Sequence, residues 1–265
     1  METLESKIVQ KNIELHEKEA ELYDLIHPQV TNFYYTRKVN RDVDFIMKNL
    51  KNKPSVLELG PGTGHLTLKL LKYDVDITGV DISKDMLNVL RGKIPENKNI
   101  KLINKEVFEF LVNDENEYDI VCMSAFLHHL FDYKNLIKEI VKKVKKDGFL
   151  YIAFEPLKQN VDSKIKFFFH RIIRSLDNLL FEVIMKLKRL PIHNDFQTSI
   201  ADYHSTLGGI EPKEVINLLN GNFEVKLHKF VVRYSGILAF MADRIINSEN
   251  TFSVIARKKD ERVSE

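Results

Sequence analysis

Residues 56–64 read Val-Leu-Glu-Leu-Gly-Pro-Gly-Thr-Gly, and no other stretch of the chain restricts its fold as tightly. Val56, Leu57 and Leu59 form the short apolar run of a parallel strand covered on both faces. Gly60, Gly62 and Gly64 then permit positive φ and leave no Cβ between backbone and ligand. The run from Leu66 to Leu71 reads as the start of a helix, so the loop offers free amides at a helix N-terminus. A dinucleotide site wants G-x-G-x-x-G, with pyrophosphate on that helix end. Here the third glycine of that pattern is replaced by His65. Glu58 also puts a carboxylate at the strand end, which suits a cationic group better than a pyrophosphate. The stretch therefore favours a nucleoside ligand that carries an ammonium group and no phosphate.

Further landmarks follow in order. Residues 74–81 read as a second strand closing on Asp81, at the separation expected of an acid that hydrogen-bonds ribose hydroxyls. Residues 99–104 read as a third strand, followed by Lys105, Glu106 and Val107. Residues 118–130 give an apolar strand, then Ser124, Ala125 and the pair His128-His129. Residues 144–156 pass from a helix into a strand ending in Glu155-Pro156.

Taken together, the segment from about 20 to 156 resembles class I S-adenosylmethionine-dependent methyltransferases. Their first motif, E/D-x-G-x-G-x-G, is matched without a gap by Glu58, Gly60, Gly62 and Gly64. The likeness is nearest the small-molecule branch that includes quinone-biosynthesis methyltransferases. It implies that Glu58, the three glycines and His65 cradle S-adenosyl-L-methionine and that Asp81 with Ile82 meets the ribose. It also implies that Glu106 and Val107 hold the adenine, with Ser124 and Ala125 beside the methionine end. Two departures stand out: Glu106 occupies a position where Asp is commoner, and Asp147-Gly148-Phe149 replaces the frequent Pro-Gly-Gly.

At 265 residues the chain suits one large α/β domain with room for an insertion. Strands alternate with helices between 55 and 156, the pattern of a doubly wound, mostly parallel sheet. The resemblance implies seven strands, the last antiparallel. Residues 1–50 read as an N-terminal helical cap, 51–160 as the cofactor-binding core and 161–210 as a helical insertion or lid. Residues 211–265 complete the sheet, with a helix at 213–219 and strands at 223–231 and 251–257. A net charge of +2 leaves no overall footprint for nucleic acid. The fourth motif also lacks the Asn/Asp-Pro-Pro-Tyr type seen in many base methylases. Cys122, alone inside an apolar strand, reads as a buried structural thiol. No metal-ligand spacing occurs. Without a signal-like apolar start or a membrane-spanning run, the expectation is a cytoplasmic protein. Oligomeric state is left open.

One segment interrupts this plan. From Ile165 through Phe168, Phe169, Ile172, Ile173 and Leu176 to Leu190, apolar residues recur at helical spacing. The other side carries Lys164, Lys166, His170, Arg171, Arg174, Lys186, Lys188 and Arg189. Asp162 and Ser163 are candidate caps and Pro191 the stop. One reading is a cap helix over the acceptor pocket; the other adds peripheral contact of 162–190 with an anionic membrane and a lipid-like acceptor. The apolar stretch from Tyr234 to Ala242 either extends that surface or packs beneath it.

Methyl transfer from a sulfonium is a direct displacement, so alignment is the protein's main contribution. A base is needed only for an acceptor that arrives protonated. His204, in the polar run 202–206, is the foremost candidate base, with Tyr203, His128 and Glu155 also placed for catalysis. Glu155 either meets the acceptor or caps a helix, while His129 reads as structural. Tyr23, His27, Tyr34 and Tyr35 either close over the cofactor or pack. A small or lipid-like methyl acceptor is the leading reading. A non-catalytic S-adenosylmethionine-binding partner subunit is a second, and a nicotinamide-dependent oxidoreductase a third that the glycine spacing disfavours.

Overall fold

The computed structural model describes residues 3–27, 32–98, 100–158, 164–189, 203–219, 221–233, 235–242 and 249–259. The N-terminal helices are α1 (Leu4–Glu19), α2 (Tyr23–Ile26) and α3 (Phe33–Lys48). The core then runs β1 (Ser55–Leu59), α4 (Thr67–Leu70), β2 (Asp76–Asp81), α5 (Lys84–Lys93), β3 (Ile100–Asn104) and α6 (Val107–Asn113). It continues through β4 (Tyr118–Ser124), a 3-10 turn at Leu127–His129, α7 (Tyr133–Lys143) and β5 (Val144–Pro156). After these come α8 (Lys164–Leu187), α9 (Tyr203–Thr206), α10 (Pro212–Leu219), β6 (Phe223–Phe230), α11 (Gly236–Met241) and β7 (Thr251–Lys258).

The seven strands lie in the order β3-β2-β1-β4-β5-β7-β6, with β1 to β5 parallel and β7 antiparallel to both its neighbours. The doubly wound sheet expected from the alternation is therefore present. Its strand order reverses between β1 and β4, and the crevice at the carboxyl ends there is where such sheets take ligands. The continuous apolar runs explain the layering. Leu57, Val121, Met123, Leu150 and Ile152 face one core with Leu136, Ile137 and Ile140 of α7. Val56, Ile120, Cys122 and Tyr151 face the other with Tyr35, Val39, Val43 and Ile46 of α3. Cys122 is fully buried, as its apolar neighbours predicted.

Helix starts follow their caps. Thr3, Asn32, Ser83 and Asp132 each accept a backbone N–H of the first turn behind them. The run after the glycine loop makes one regular turn only, Thr67–Leu70. Two irregularities shape β5. Its pairing with β4 shifts between Tyr118 and Ile120, so strand structure begins at Val144 and bulges before Phe149. Near its far end the pairing to β7 slips, and Phe154 takes a φ of 59° there. That left-handed conformation costs an L-residue about 1–2 kcal/mol and swings Glu155 inward. The candidate caps Asp162 and Ser163 and the stop Pro191 lie outside the described residues, as does Tyr234.

Candidate functional site

At the strand-order reversal lies a cavity of about 870 Å³. The three glycines beneath it serve different ends. Gly60, at φ 65°, faces the Phe126 ring, which a Cβ would strike at 2.2 Å. Gly64, at φ 100°, packs on Leu90 and Leu68 and does not line the cavity. Gly62, at φ 52°, has open space where a Cβ would stand. Its N–H donates to Asp81 Oδ2 at 2.9 Å, while Ser83 N–H donates to Oδ1 at 2.8 Å. The acid at the end of β2 thus fixes the glycine loop and the start of α5 together.

Glu58 is buried and accepts the Thr67 hydroxyl at 2.7 Å. Burial pushes its carboxyl up to about 7, and burial likewise pushes Asp81 up to about 6. Both line the cavity, so two carboxylates wait there with less solvation than they need as anions. Glu106 also lines it, but one oxygen is committed to capping α6 through Phe108 N–H at 2.7 Å and Glu109 N–H at 3.0 Å. His65 Nδ1 lies 3.3 Å from Ser124 Oγ, and burial holds its ring in the neutral form. Ala125 turns with φ 51°, and its N–H donates to Ala153 O at 2.8 Å. Ile82 and Val107 complete this wall, so every cofactor residue expected from the sequence except Gly64 lines one cavity.

Among the described residues, α1 supplies the roof. Val9, Asn12 and His16 face the cavity at helical spacing, joined by Tyr23 at the start of α2. Asn12 Nδ2 donates to His129 O at 3.0 Å, tying the roof to the turn after β4. Asp24 accepts Thr63 Oγ1 at 2.6 Å and Lys93 Nζ at 2.5 Å, which latches α2 to the glycine loop. The His16 and His129 rings meet edge-on at 4.9 Å. Burial and the neighbouring histidines push His16 well below the usual histidine range. Asn12 Oδ1, His16 Nδ1 and His65 Nε2 are buried without a hydrogen-bond partner among the described residues. Tyr35, in contrast, packs in the core: its hydroxyl bonds Arg233 N–H and Arg233 O.

The four residues expected to carry catalysis stand behind the cavity wall. Glu155 is fully buried and accepts Phe126 N–H and Leu127 N–H at 2.8 Å and His128 N–H at 3.2 Å. His128 Nδ1 lies 2.9 Å from Oε2, the oxygen that also accepts the His128 N–H. Burial raises this carboxyl, but His128 and the backbone donors outweigh it and hold the group below the usual carboxylate range. Glu155 therefore caps the 3-10 turn, and His128 is its partner. Tyr203 stacks on Phe131, a wall residue, at 5.5 Å. His204 packs edge-on against Tyr133 at 4.7 Å, and Nε2 lies 3.4 Å from Phe131 O. None of the four appears among the cavity's lining residues. Sequence reasoning overlooked Asn12 and His16; their four-residue spacing with Ile8 was the available signal. Among the described residues no group of His, Cys, Asp and Glu is placed to hold a metal ion.

This sheet, glycine loop and carboxylate arrangement define a Rossmann-like methyltransferase fold. Residues 57–152 match the family described as methyltransferase domain. One curated relative is an rRNA adenine N-6-methyltransferase of Escherichia coli, 29% identical over 113 residues, covering 43% of this chain and 42% of the relative. Another is a ubiquinone biosynthesis O-methyltransferase of Hydrogenovibrio crunogenus, 32% identical over 126 residues, covering 46% and 50%. The chain thus spans about half the length, or less, of these relatives. Among solved structures, the N-methyltransferase NodS from Bradyrhizobium japonicum WM9, in complex with S-adenosyl-L-homocysteine, superposes with a TM-score of 0.59. It is 12% identical, with 95% of this chain and 100% of NodS covered, a likeness of fold.

Proposed function

We propose that the protein is an S-adenosylmethionine-dependent methyltransferase acting on a small or lipid-like acceptor. The observation that carries this reading is the pairing of an open Gly62 with two buried carboxylates, Glu58 and Asp81, on one cavity. The donor set fits the cofactor: anions for its amino group and ribose, and no cation array for phosphates. Glu58, Gly60, Gly62 and His65 would hold the methionine end with Ser124 and Ala125, while Asp81 and Ile82 would hold the ribose. Val107 and the free edge of Glu106 would meet the adenine. When bound, the cofactor supplies an electrophilic methyl group on a sulfonium.

The chain's own residues then align and exclude water. The roof bond from Asn12 to His129 O holds α1 across the cavity above the glycine loop, which supports the reading of a compact acceptor. For an acceptor bearing O–H or N–H, His16 is the residue to take the proton. It lines the cavity, and its Nδ1 lacks a partner among the described residues. His128 and His204 do not line the cavity; His128 pairs with Glu155, and His204 Nε2 lies beside Phe131 O of the wall.

The test is thermal denaturation with S-adenosylmethionine, S-adenosylhomocysteine and NADH, followed by S-adenosylhomocysteine release against a metabolite and lipid panel. Stabilisation by the first two and turnover of a panel member are expected. Stabilisation by NADH alone refutes the reading. Cofactor binding with turnover only on ribosomal RNA refutes the acceptor class.

A further inference from the structure

Helix α8 shelters Ile173, Phe181 and Ile184 in part and Met185 fully, yet it leaves a second apolar face uncovered. Its inward side carries Asp177, which is buried and accepts Ser235 N–H at 2.9 Å, and Met185. Its outward side carries Ile172, Leu176, Leu179, Leu180, Val183 and Leu187, all exposed, Leu187 by 78%. At about 100° per residue these six positions fall within a single stripe about 100° wide, and they span about 22 Å of helix. The bond from Ser235 to Asp177 sets α11 beside this helix. There Ile237, Phe240 and Met241 are exposed too, Ile237 by 75%. A soluble monomer seldom shows so long an apolar strip.

Charge names the occupant. Residues 164–189 hold four Lys and three Arg against Asp177 and Glu182, a net of +5, in a chain of net +2. The rest of the chain is therefore net −3, and the positive charge is concentrated on the element that bears the apolar stripe. Lys186, Lys188 and Arg189 are exposed at its C-terminal end. A second copy pairing through the same face would bring +5 against +5. A surface of anionic headgroups over acyl chains complements both features. Among the described residues no helix is long and apolar enough to cross a membrane, so the contact lies along the surface.

We propose that α8 and α11 form a docking face for anionic lipid bilayers, with the leucine stripe at the acyl boundary and the basic residues at the headgroups. This stands apart from the methyl-transfer reading, and either can fail alone.

The test is flotation of the full chain with phosphatidylcholine vesicles and with vesicles containing added phosphatidylglycerol. Binding only to the anionic vesicles, weakened by salt, is expected. The double variant Leu179→Glu/Val183→Glu should abolish flotation while circular dichroism and thermal midpoint stay unchanged, since both side chains are exposed. Replacing Lys186 and Lys188 by Gln should weaken partition about fivefold for each residue. No flotation with anionic vesicles at low salt overturns the proposal, as does binding that the double variant leaves intact. A chain that is dimeric in solution and is made monomeric by the double variant, without vesicle binding, assigns the face to a second copy instead. S-adenosylhomocysteine binding, measured in parallel, keeps failure here distinct from failure of the site assignment.

Discussion

Replacing Glu155 by Gln separates a structural carboxylate from a catalytic one. In the native site one oxygen takes the Phe126 and Leu127 amides, and the other takes the His128 amide and faces Nδ1. The Gln carbonyl can keep the first pair. Its NH₂ then points a donor at the His128 N–H, which loses a bond to a charged acceptor and stays buried. Bonds to charged groups contribute about 1.5–3 kcal/mol, and an unsatisfied buried donor costs about 1–3 kcal/mol. Because these describe one event, a total near ~3 kcal/mol is expected. For a chain of this size that lowers Tm by about 5–6 °C. Its depressed folded pKa gives the Glu155 contribution a defined pH range. It is fully present above the unfolded carboxylate range and is lost as pH falls through the folded value. The variant should therefore differ most from the parent near neutrality and converge with it in acid. Differential scanning calorimetry across pH reads both effects. A Glu155→Gln protein with unchanged Tm and lost turnover would refute the capping assignment and restore Glu155 as a catalytic group.

Two further outcomes follow from the glycine loop and its acids. Gly64→Ala places a Cβ at φ 100°, 2.6 Å from Leu90 Cδ1, and should cost about 2–3 kcal/mol of stability by chemical denaturation. Gly62→Ala meets nothing within 4 Å and should cost about 1 kcal/mol while weakening S-adenosylmethionine binding in calorimetry; equal stability losses would sink the distinction. With folded values near 7 and 6 against ordinary values of 4.5 and 3.8, Glu58 and Asp81 hold protons that the unfolded chain has released. Ligand-free stability should therefore fall as pH rises through that interval, while affinity for the cationic cofactor rises. Glu58→Gln should flatten the upper part of both curves; a titration curve that it leaves unmoved would rule out Glu58 as the titrating group.

Local periodicity made the sheet legible because a buried parallel strand is a continuous apolar run, and Val56-Leu57 and Ile120-Val121-Cys122 announce themselves. The cofactor wall was legible for a related reason: its residues sit within a few positions of strand ends. The acceptor side depends on tertiary approach. Asn12 reaches His129 across 117 residues of chain, and nothing near either position encodes that meeting. Glu155 reads from the sequence as either an acceptor contact or a helix cap, because a strand-end acid at this edge can serve as either. A slip in the β5–β7 pairing, with Phe154 at positive φ, turns it toward the 3-10 turn instead. Helix α8 showed its amphipathic period plainly, but period alone does not say which side meets protein. The buried Asp177 decided that, a polar residue turned inward to receive one backbone amide.

The placing of β7 has a consequence for how the chain is made. It follows β6 in sequence yet lies between β5 and β6 in the sheet. A ribosome releasing the chain N-terminus first delivers β5 with one edge open, about a hundred residues before the strand that covers it. Throughout that interval Leu150 and Ile152 present an unprotected ladder of backbone donors and acceptors beside apolar side chains. The β6 strand has no parallel partner to occupy in the meantime, because among the described residues its neighbour in the sheet is β7 alone. Assembly of this half of the sheet is thus a late, all-at-once event, and synthesis is the stage at which the protein is most exposed to aggregation or to capture by a chaperone.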